Sequence, residues 1–340
     1  MGRVVLVTGV SRDLGGRFAR RLAGQPSIDR VIGVDVVPPR QNLGDVAFVR
    51  ADIRNPVIAK VIAGQAVDTV VHLSVQASPS EVGRAGGRTS MKEHNVIGTM
   101  QLLAACQKAP GLERLVVRSS GAVYGSSSRD PAMFTEDMSA KAMPRSGYGK
   151  DVLEVEGYVR GFARRRPDVA VTTLRAASAV GPTVTSRLTQ YFRLPVVPTV
   201  LGYDARLQFL HEDDLLAVLE HATLGGVHGT FNIAGDGVLM LSQALRRLGR
   251  PILPVPTFAV GPLSALFRQA GVQGLPPELA RYLTFGRGLD TTRMRTLLGF
   301  SPTFTSAEAL ADFGRTLTPS PLPQPLTALA TASTAGGTDG

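Results

Sequence analysis

A doubly wound, parallel α/β sheet with a smaller C-terminal lobe is the fold this sequence predicts, and three observations predict it. Short apolar, β-branched runs alternate with helix-patterned segments through the first half of the chain. A glycine-rich turn joins the first run to the first helix, in VTGVSRDLGGRFA. An acidic residue, Asp35, closes the second run. Strands separated by helices pair in parallel through right-handed crossovers.

The elements follow in order. RVVLVTG (3–9) is the first strand and GGRFARRLAG (15–24) an amphipathic helix. RVIGVD (30–35), VAFVRAD (46–52) and VDTVVHLS (67–74) are strands two to four. A helix from about Ser90 to Lys108 precedes LERLVVRSS (112–120), the fifth strand. YGKDVLEVEGYVRGFARRR is one long helix, and VAVTTLRAAS (169–178) the sixth strand. The sheet domain is therefore expected over 1–180. After Gly181 and Pro182 prolines become frequent, and a smaller lobe interleaved with the sheet is expected over 181–317. Within it DDLLAVLEHAT (213–223) and SQALRRLG (242–249) are helices and GTFNIAG (229–235) a strand. The tail, 318–340, is rich in Pro, Ala, Thr, Ser and Gly; it cannot bury a core and is expected to be disordered.

Composition narrows the function. At 44% hydrophobic residues, the 340-residue chain can bury a sizeable core. Its single cysteine, Cys106, cannot form an internal disulfide and fits a helix core and a reducing, cytoplasmic setting. No apolar run is long enough to cross a bilayer. The net charge of +10 suits anionic partners. No aromatic–basic stacking motif, zinc-finger spacing or helix-turn-helix pattern accompanies it, so no specific nucleic-acid partner is expected. RRRPD (164–168) reads as a helix end whose cations complement the dipole. No His, Cys, Asp or Glu cluster has metal-ligand spacing.

The turn after the first strand suits a dinucleotide. Gly9 lets the chain bend sharply, and Gly15 lets the helix approach the sheet and offer N–H groups to a pyrophosphate. Asp35 lies about 20 residues past Gly15, where a carboxylate accepts from the adenosine ribose and repels a 2′-phosphate. NAD is expected over NADP. Asp52 ends the third strand, near the adenine position.

With these landmarks the chain resembles the extended short-chain dehydrogenase/reductase superfamily, and within it the NAD-dependent epimerase/dehydratase family that includes nucleotide-sugar 4-epimerases. Further signs are SSGAVYG (119–125), YGK (148–150), LRAASAVGP (174–182), FLHEDD (209–214) and LDTTRMRTLLGFSP (289–302). The resemblance implies a Rossmann sheet, bound NAD surrounded by Gly9, Gly15, Asp35, Asp52, Ile53, Leu73 and Asn95, and a nucleotide-sugar substrate. It implies catalysis by Ser120 and Tyr148, and a homodimer through the helices near 90–108 and 148–165.

Departures from the family pattern point the other way. Arg12 stands where the middle glycine of the loop belongs; its side chain crowds the phosphate path unless the loop bends differently, or else pairs with a phosphate or with Asp35. The lysine that follows the family tyrosine by four residues is Val152. A phenol ionises near pH 10, so a base at neutrality needs positive charge worth on the order of three pH units, ~4 kcal/mol. Lys150 lies roughly 200° round the helix from Tyr148 and should point away. Asp151 adds a negative charge beside it, Ser178 stands where an asparagine is common, and Leu207 where an arginine is. His72 reads as a core histidine, and His211, Asp213 and Asp214 as a tie between lobes. Two functions remain open: an atypical or weakly active epimerase/dehydratase-type oxidoreductase, or a non-catalytic ligand-binding regulator on the same fold.

Overall fold

The computed structural model describes residues 2–77, 88–144, 147–259 and 276–319. Its centre is a seven-stranded sheet. Six strands come from the first half of the chain: β1 (Arg3–Thr8), β2 (Ile28–Asp35), β3 (Ala47–Arg50), β4 (Thr69–His72), β5 (Arg114–Ser120) and β6 (Ala170–Ala176). The seventh, Gly229–Ile233, returns from the C-terminal half and pairs with β6. From that strand the order runs β6, β5, β4, β1, β2, β3, and every pairing is parallel. The order reverses between β1 and β4, so a crevice opens at the carboxyl ends of the strands beside Gly9.

Helices cover both faces. α1 (Asp13–Ala23) packs with the later helix Glu212–Gly225 on one side, over Val5, Val7, Phe18, Leu174 and Phe231. On the other lie α2 (Val57–Gly64), α3 (Arg88–Lys92), α4 (Gly98–Gln107) and α5 (Gly147–Arg165), over Leu6, Val70, Leu102, Val117 and Phe162. A third apolar cluster, around Phe192, Phe209 and Phe313, belongs to the C-terminal elements. There short two-stranded sheets, Val197–Val200 with Ile252–Val255 and Arg206–Leu207 with Leu239–Met240, replace the long rhythm of the first half.

Several expectations need correction. The helix expected as one piece from Ser90 to Lys108 is broken by a π turn at Glu93–Ile97, the segment that carries Asn95. α2 has no counterpart in the strand-and-helix reading, nor do the helices Pro277–Phe285 and Ser306–Gly314. Arg166, read as part of a solvated helix end, caps the neighbouring helix instead: it donates to the carbonyls of Cys106, Ala109 and Leu112 and pairs with Asp168. Cys106 is fully buried, and burial pushes its thiol up to about 12. No helix among the described residues is long and apolar enough to cross a membrane. The tail from residue 320 on lies outside the described residues.

Candidate active site

The crevice begins with the turn after β1. Gly9 has φ +82°, a conformation open to glycine, and a Cβ there would stand 3.0 Å from the Ser74 backbone. A Cβ on Gly15 would meet the Gly9 carbonyl oxygen at 2.2 Å, so turn and helix touch where only glycine fits. Arg12 precedes the first turn of α1 with φ −91° and ψ 156°. That is ordinary extended backbone, so the loop accepts a side chain where the family pattern has glycine.

Asp35 accepts from the Ser11 N–H at 3.0 Å and from its neighbour Val36 at 2.8 Å. Each carboxylate oxygen keeps a further lone pair. Asp52 is gripped by Arg54, through Nε at 3.0 Å and Nη2 at 2.7 Å. Burial works against its ionisation, yet the Arg54 fork holds the carboxyl below the usual range. Ile53 is buried, and Gly98 leaves the space it fills. Leu73 is buried and its N–H donates to Thr8 Oγ1. Burial first, and then the Arg12 guanidinium, lower the His94 pKa, with Asp35 and Asp52 opposing. Arg12 before α1, Asp35 at the end of β2 and Asp52 after β3 thus all act on His94.

Asn95 pins the chain that leaves β4. Its Oδ1 accepts from Gln76 N at 2.7 Å, and its Nδ2 donates to Gln76 O at 2.9 Å and to Asp151 Oδ2 at 3.1 Å. Asp151 is fully buried, so it does face inward. Beneath it His72 bridges Thr8 and Thr99, each at 2.9 Å. Thr99 spends its proton on the Asn95 carbonyl, so Nε2 of His72 donates and Nδ1 accepts.

Ser120 ends β5, and its Oγ accepts from the Ala122 N–H at 3.1 Å as the chain turns into Gly121–Tyr124. Tyr148 sits in the first turn of α5, half-buried against the core. A Cβ on Gly149 would lie 2.9 Å from the Ala122 oxygen, so the starts of these two segments abut. Val152 is 0% exposed, in one apolar cluster with Val155, Val159 and Phe162. Lys150 turns to Glu154, 3.8 Å away.

Glu278, which sequence reasoning missed, closes the α5 N-terminus. Its carboxylate accepts from the N–H of Tyr148 at 2.9 Å and of Gly149 at 2.6 Å. It also lines a cavity of about 720 Å³ with Ala122, Arg129, Lys141, Arg281 and Arg287. Arg281 donates to Ser126 O, and Arg287 to Gly125 O while stacking over Tyr282. Four cations thus share the cavity lining with one carboxylate that is already engaged. Nothing in the sequence joins these residues, because Glu278 lies 130 positions from Tyr148. Ser178 reaches the Tyr282 hydroxyl at 3.5 Å; Leu207 is core, while Arg206 lends its carbonyl to Arg287 N.

Behind the site runs a buried polar network. Arg175 donates to Glu156 through Nε at 3.0 Å and Nη2 at 2.7 Å, to Tyr124 Oη at 2.7 Å and to Glu136 O at 3.0 Å. Ser119 donates to the same Glu156. The contacts of the segment 211–214 are equally specific. Arg17 of α1 pairs with Glu212 at 2.7 Å and Asp213 at 2.9 Å, while Asp214 accepts from Thr303 and Phe304 N–H groups. His211 stacks on Phe304 and meets Asp312 at 3.2 Å.

The glycine cradle, which a Cβ would fill, and the paired acids at the ends of β2 and β3 fit the adenosine and phosphates of a dinucleotide. A family model described as the NAD dependent epimerase/dehydratase family matches residues 5–234. An uncharacterized protein of Mycobacterium tuberculosis is 53% identical over 323 residues, covering 93% of this chain and 85% of that protein. The fold is shared with UDP-glucose 4-epimerase of Thermotoga maritima in its complex with UDP-glucose: TM-score 0.69 and 20% identity, over 92% of this chain and 98% of that one. UDP-glucuronic acid 4-epimerase of Bacillus cereus, in complex with UDP-glucuronic acid and NAD, gives the same TM-score, identity and coverage, 0.69, 20%, 92% and 98%.

Proposed function

The chain belongs to the NAD dependent epimerase/dehydratase family, and from that premise we propose that it binds NAD and a nucleotide sugar or related anionic substrate but drives the family's oxidoreduction weakly. Gly9, Arg12 and Gly15 would hold the pyrophosphate and Asp35 and Asp52 the adenosine, with Ile53, Leu73 and Asn95 walling the crevice. When bound, NAD supplies a hydride acceptor. Ser120 would orient the reacting hydroxyl and Tyr148 would exchange its proton. The cavity beside them, with Arg129, Lys141, Arg281 and Arg287 on its walls, suits a diphosphate.

One observation carries the weak-activity reading: Val152 is sealed in the apolar core, where the family places a lysine. No ammonium from that position assists the phenol, and two acids are held at the start of α5, Asp151 by Asn95 and Glu278 by the N–H of Tyr148. The phenol needs positive charge worth ~4 kcal/mol in all, and bound NAD would supply part of it; the part the lysine would have added is lost, which slows the reaction by up to about a thousandfold. The same observation favours the second reading, a ligand-binding regulator without turnover. A homodimer across the helical segments near 90–108 and 148–165 is part of the proposal; Ile97 and Tyr158 leave apolar surface exposed there.

Calorimetric titration with NAD, NADP and UDP-sugars, followed by single-turnover measurement of ring reduction, tests this. NAD should bind in preference to NADP and turnover should be slow. Rapid sugar conversion by the unmodified protein, abolished in Tyr148→Phe, would overturn the weak-activity reading.

A further inference from the structure

Among the described residues, two buried side-chain polar atoms have no hydrogen-bond partner: Gln76 Oε1 and Arg118 Nε. They belong to neighbouring strands of the sheet. Arg118 is on β5, two residues before Ser120, with its backbone paired to Leu174 of β6. β4 is paired to β5 through His72 and Val117, and runs on through Leu73 to Gln76. Both orphans therefore lie at the carboxyl ends of adjacent parallel strands, where open α/β sheets bind ligands. Side chains alternate along a strand, so Arg118 shares a face with Ser120, opposite Ser119 and its partner Glu156. Gln76 is 6% exposed, and Asn95 clamps its backbone on both sides.

Native chains rarely leave such atoms unsatisfied: an ordered water, an ion or a ligand completes them, and these two lie at a ligand crevice. One orphan is an acceptor and the other a donor. A phosphate would serve the arginine and leave the glutamine oxygen bare. The pair matches a ligand portion that offers both an N–H or O–H group and an oxygen. Their position says which portion. Asp35 and Asp52 lie at the ends of β2 and β3, on one side of β1, while Gln76 and Arg118 lie on the other, after β4 and in β5. A dinucleotide straddling Gly9 turns its adenosine to the first pair and its nicotinamide nucleoside to the second.

We propose that Gln76 and Arg118 are positioning residues for the nicotinamide nucleoside: Gln76 Oε1 accepts from its carboxamide or a ribose hydroxyl, and Arg118 Nε donates to an oxygen of the same half. The inference rests on the NAD reading above. Gln76→Leu and Arg118→Met test it, each titrated with NAD and with ADP, which keeps the adenosine and two phosphates but lacks the nicotinamide nucleoside. Each variant should bind NAD roughly tenfold or more weakly and ADP as the unmodified protein does. The ligand-free variants should melt no lower than the unmodified protein, because an apolar group replaces an unsatisfied polar one. A merely structural role would lower the melting temperature and weaken both ligands alike. Unchanged NAD affinity in both variants, or equal losses for NAD and ADP, overturns the proposal. Failure of the unmodified protein to bind either NAD or ADP removes the NAD reading itself, and this inference with it.

Discussion

Replacing Arg175 by Met should unhinge the wall behind the candidate site, and the structure sets the size of the effect. Arg175 is 8% exposed and Glu156 2%. The substitution strips the Glu156 carboxylate of Nε at 3.0 Å and Nη2 at 2.7 Å, and takes one donor each from Tyr124 Oη and Glu136 O. What remains for the carboxylate is the Ser119 hydroxyl and a half-exposed Arg160 at 3.4 Å. A buried charge left with so little compensation costs about 3–5 kcal/mol. Replacing both partners, Arg175→Met with Glu156→Leu, removes the uncompensated charge as well. The double variant should recover much of the loss, giving a coupling of about 2–4 kcal/mol. Urea unfolding of the four proteins at neutral pH, with slopes compared to confirm a common mechanism, measures it. A single-variant cost below about 1 kcal/mol would refute the argument that this pair is a desolvated, mutually dependent unit.

Acid should destabilise the fold through His72. Its pKa lies at about 3, driven down by burial and then by His94. The unfolded chain therefore takes the proton first: stability is full above pH ~6.5 and falls by ~1.4 kcal/mol per pH unit as pH drops toward ~3. A pH series of urea midpoints checks it, and His72→Gln should flatten that slope. Gly15→Ala would place a methyl group 2.2 Å from the Gly9 oxygen, so the turn must open. The expected results are ~1–3 kcal/mol of lost stability and at least about a tenfold loss of NAD affinity; undiminished NAD binding would show that this turn does not cradle the cofactor.

The sheet was legible because its strands are apolar runs bounded by charge or glycine, as in RVVLVTG and LERLVVRSS. What the pattern hid had local reasons. VIAKVIAG in α2 is apolar on nearly every side, so periodicity does not separate it from a strand. The π turn at Glu93–Ile97 adds no residue type that marks it. The substitution at Val152 could be read from the motif, but its consequence could not. Only the packing shows that this position is closed core rather than a solvated edge another cation could reach. The cavity was the least legible part, since Arg129, Lys141 and Arg281 meet through tertiary contact alone.

The distribution of charge links these findings. Four cations, Arg129, Lys141, Arg281 and Arg287, are on the cavity wall, while the first turn of α5 holds Asp151 and receives Glu278. Cations on the wall would attract a ligand's phosphates equally before and during hydride transfer, and uniform attraction tightens binding without lowering the barrier. Charge beside the phenol would act only as the proton leaves, and that is the charge Val152 lacks. Under the proposed function this arrangement would favour holding an anionic ligand over transforming it, by position rather than by amount: the chain carries ten more cations than anions, yet position 152, where one would speed the reaction, is a buried valine.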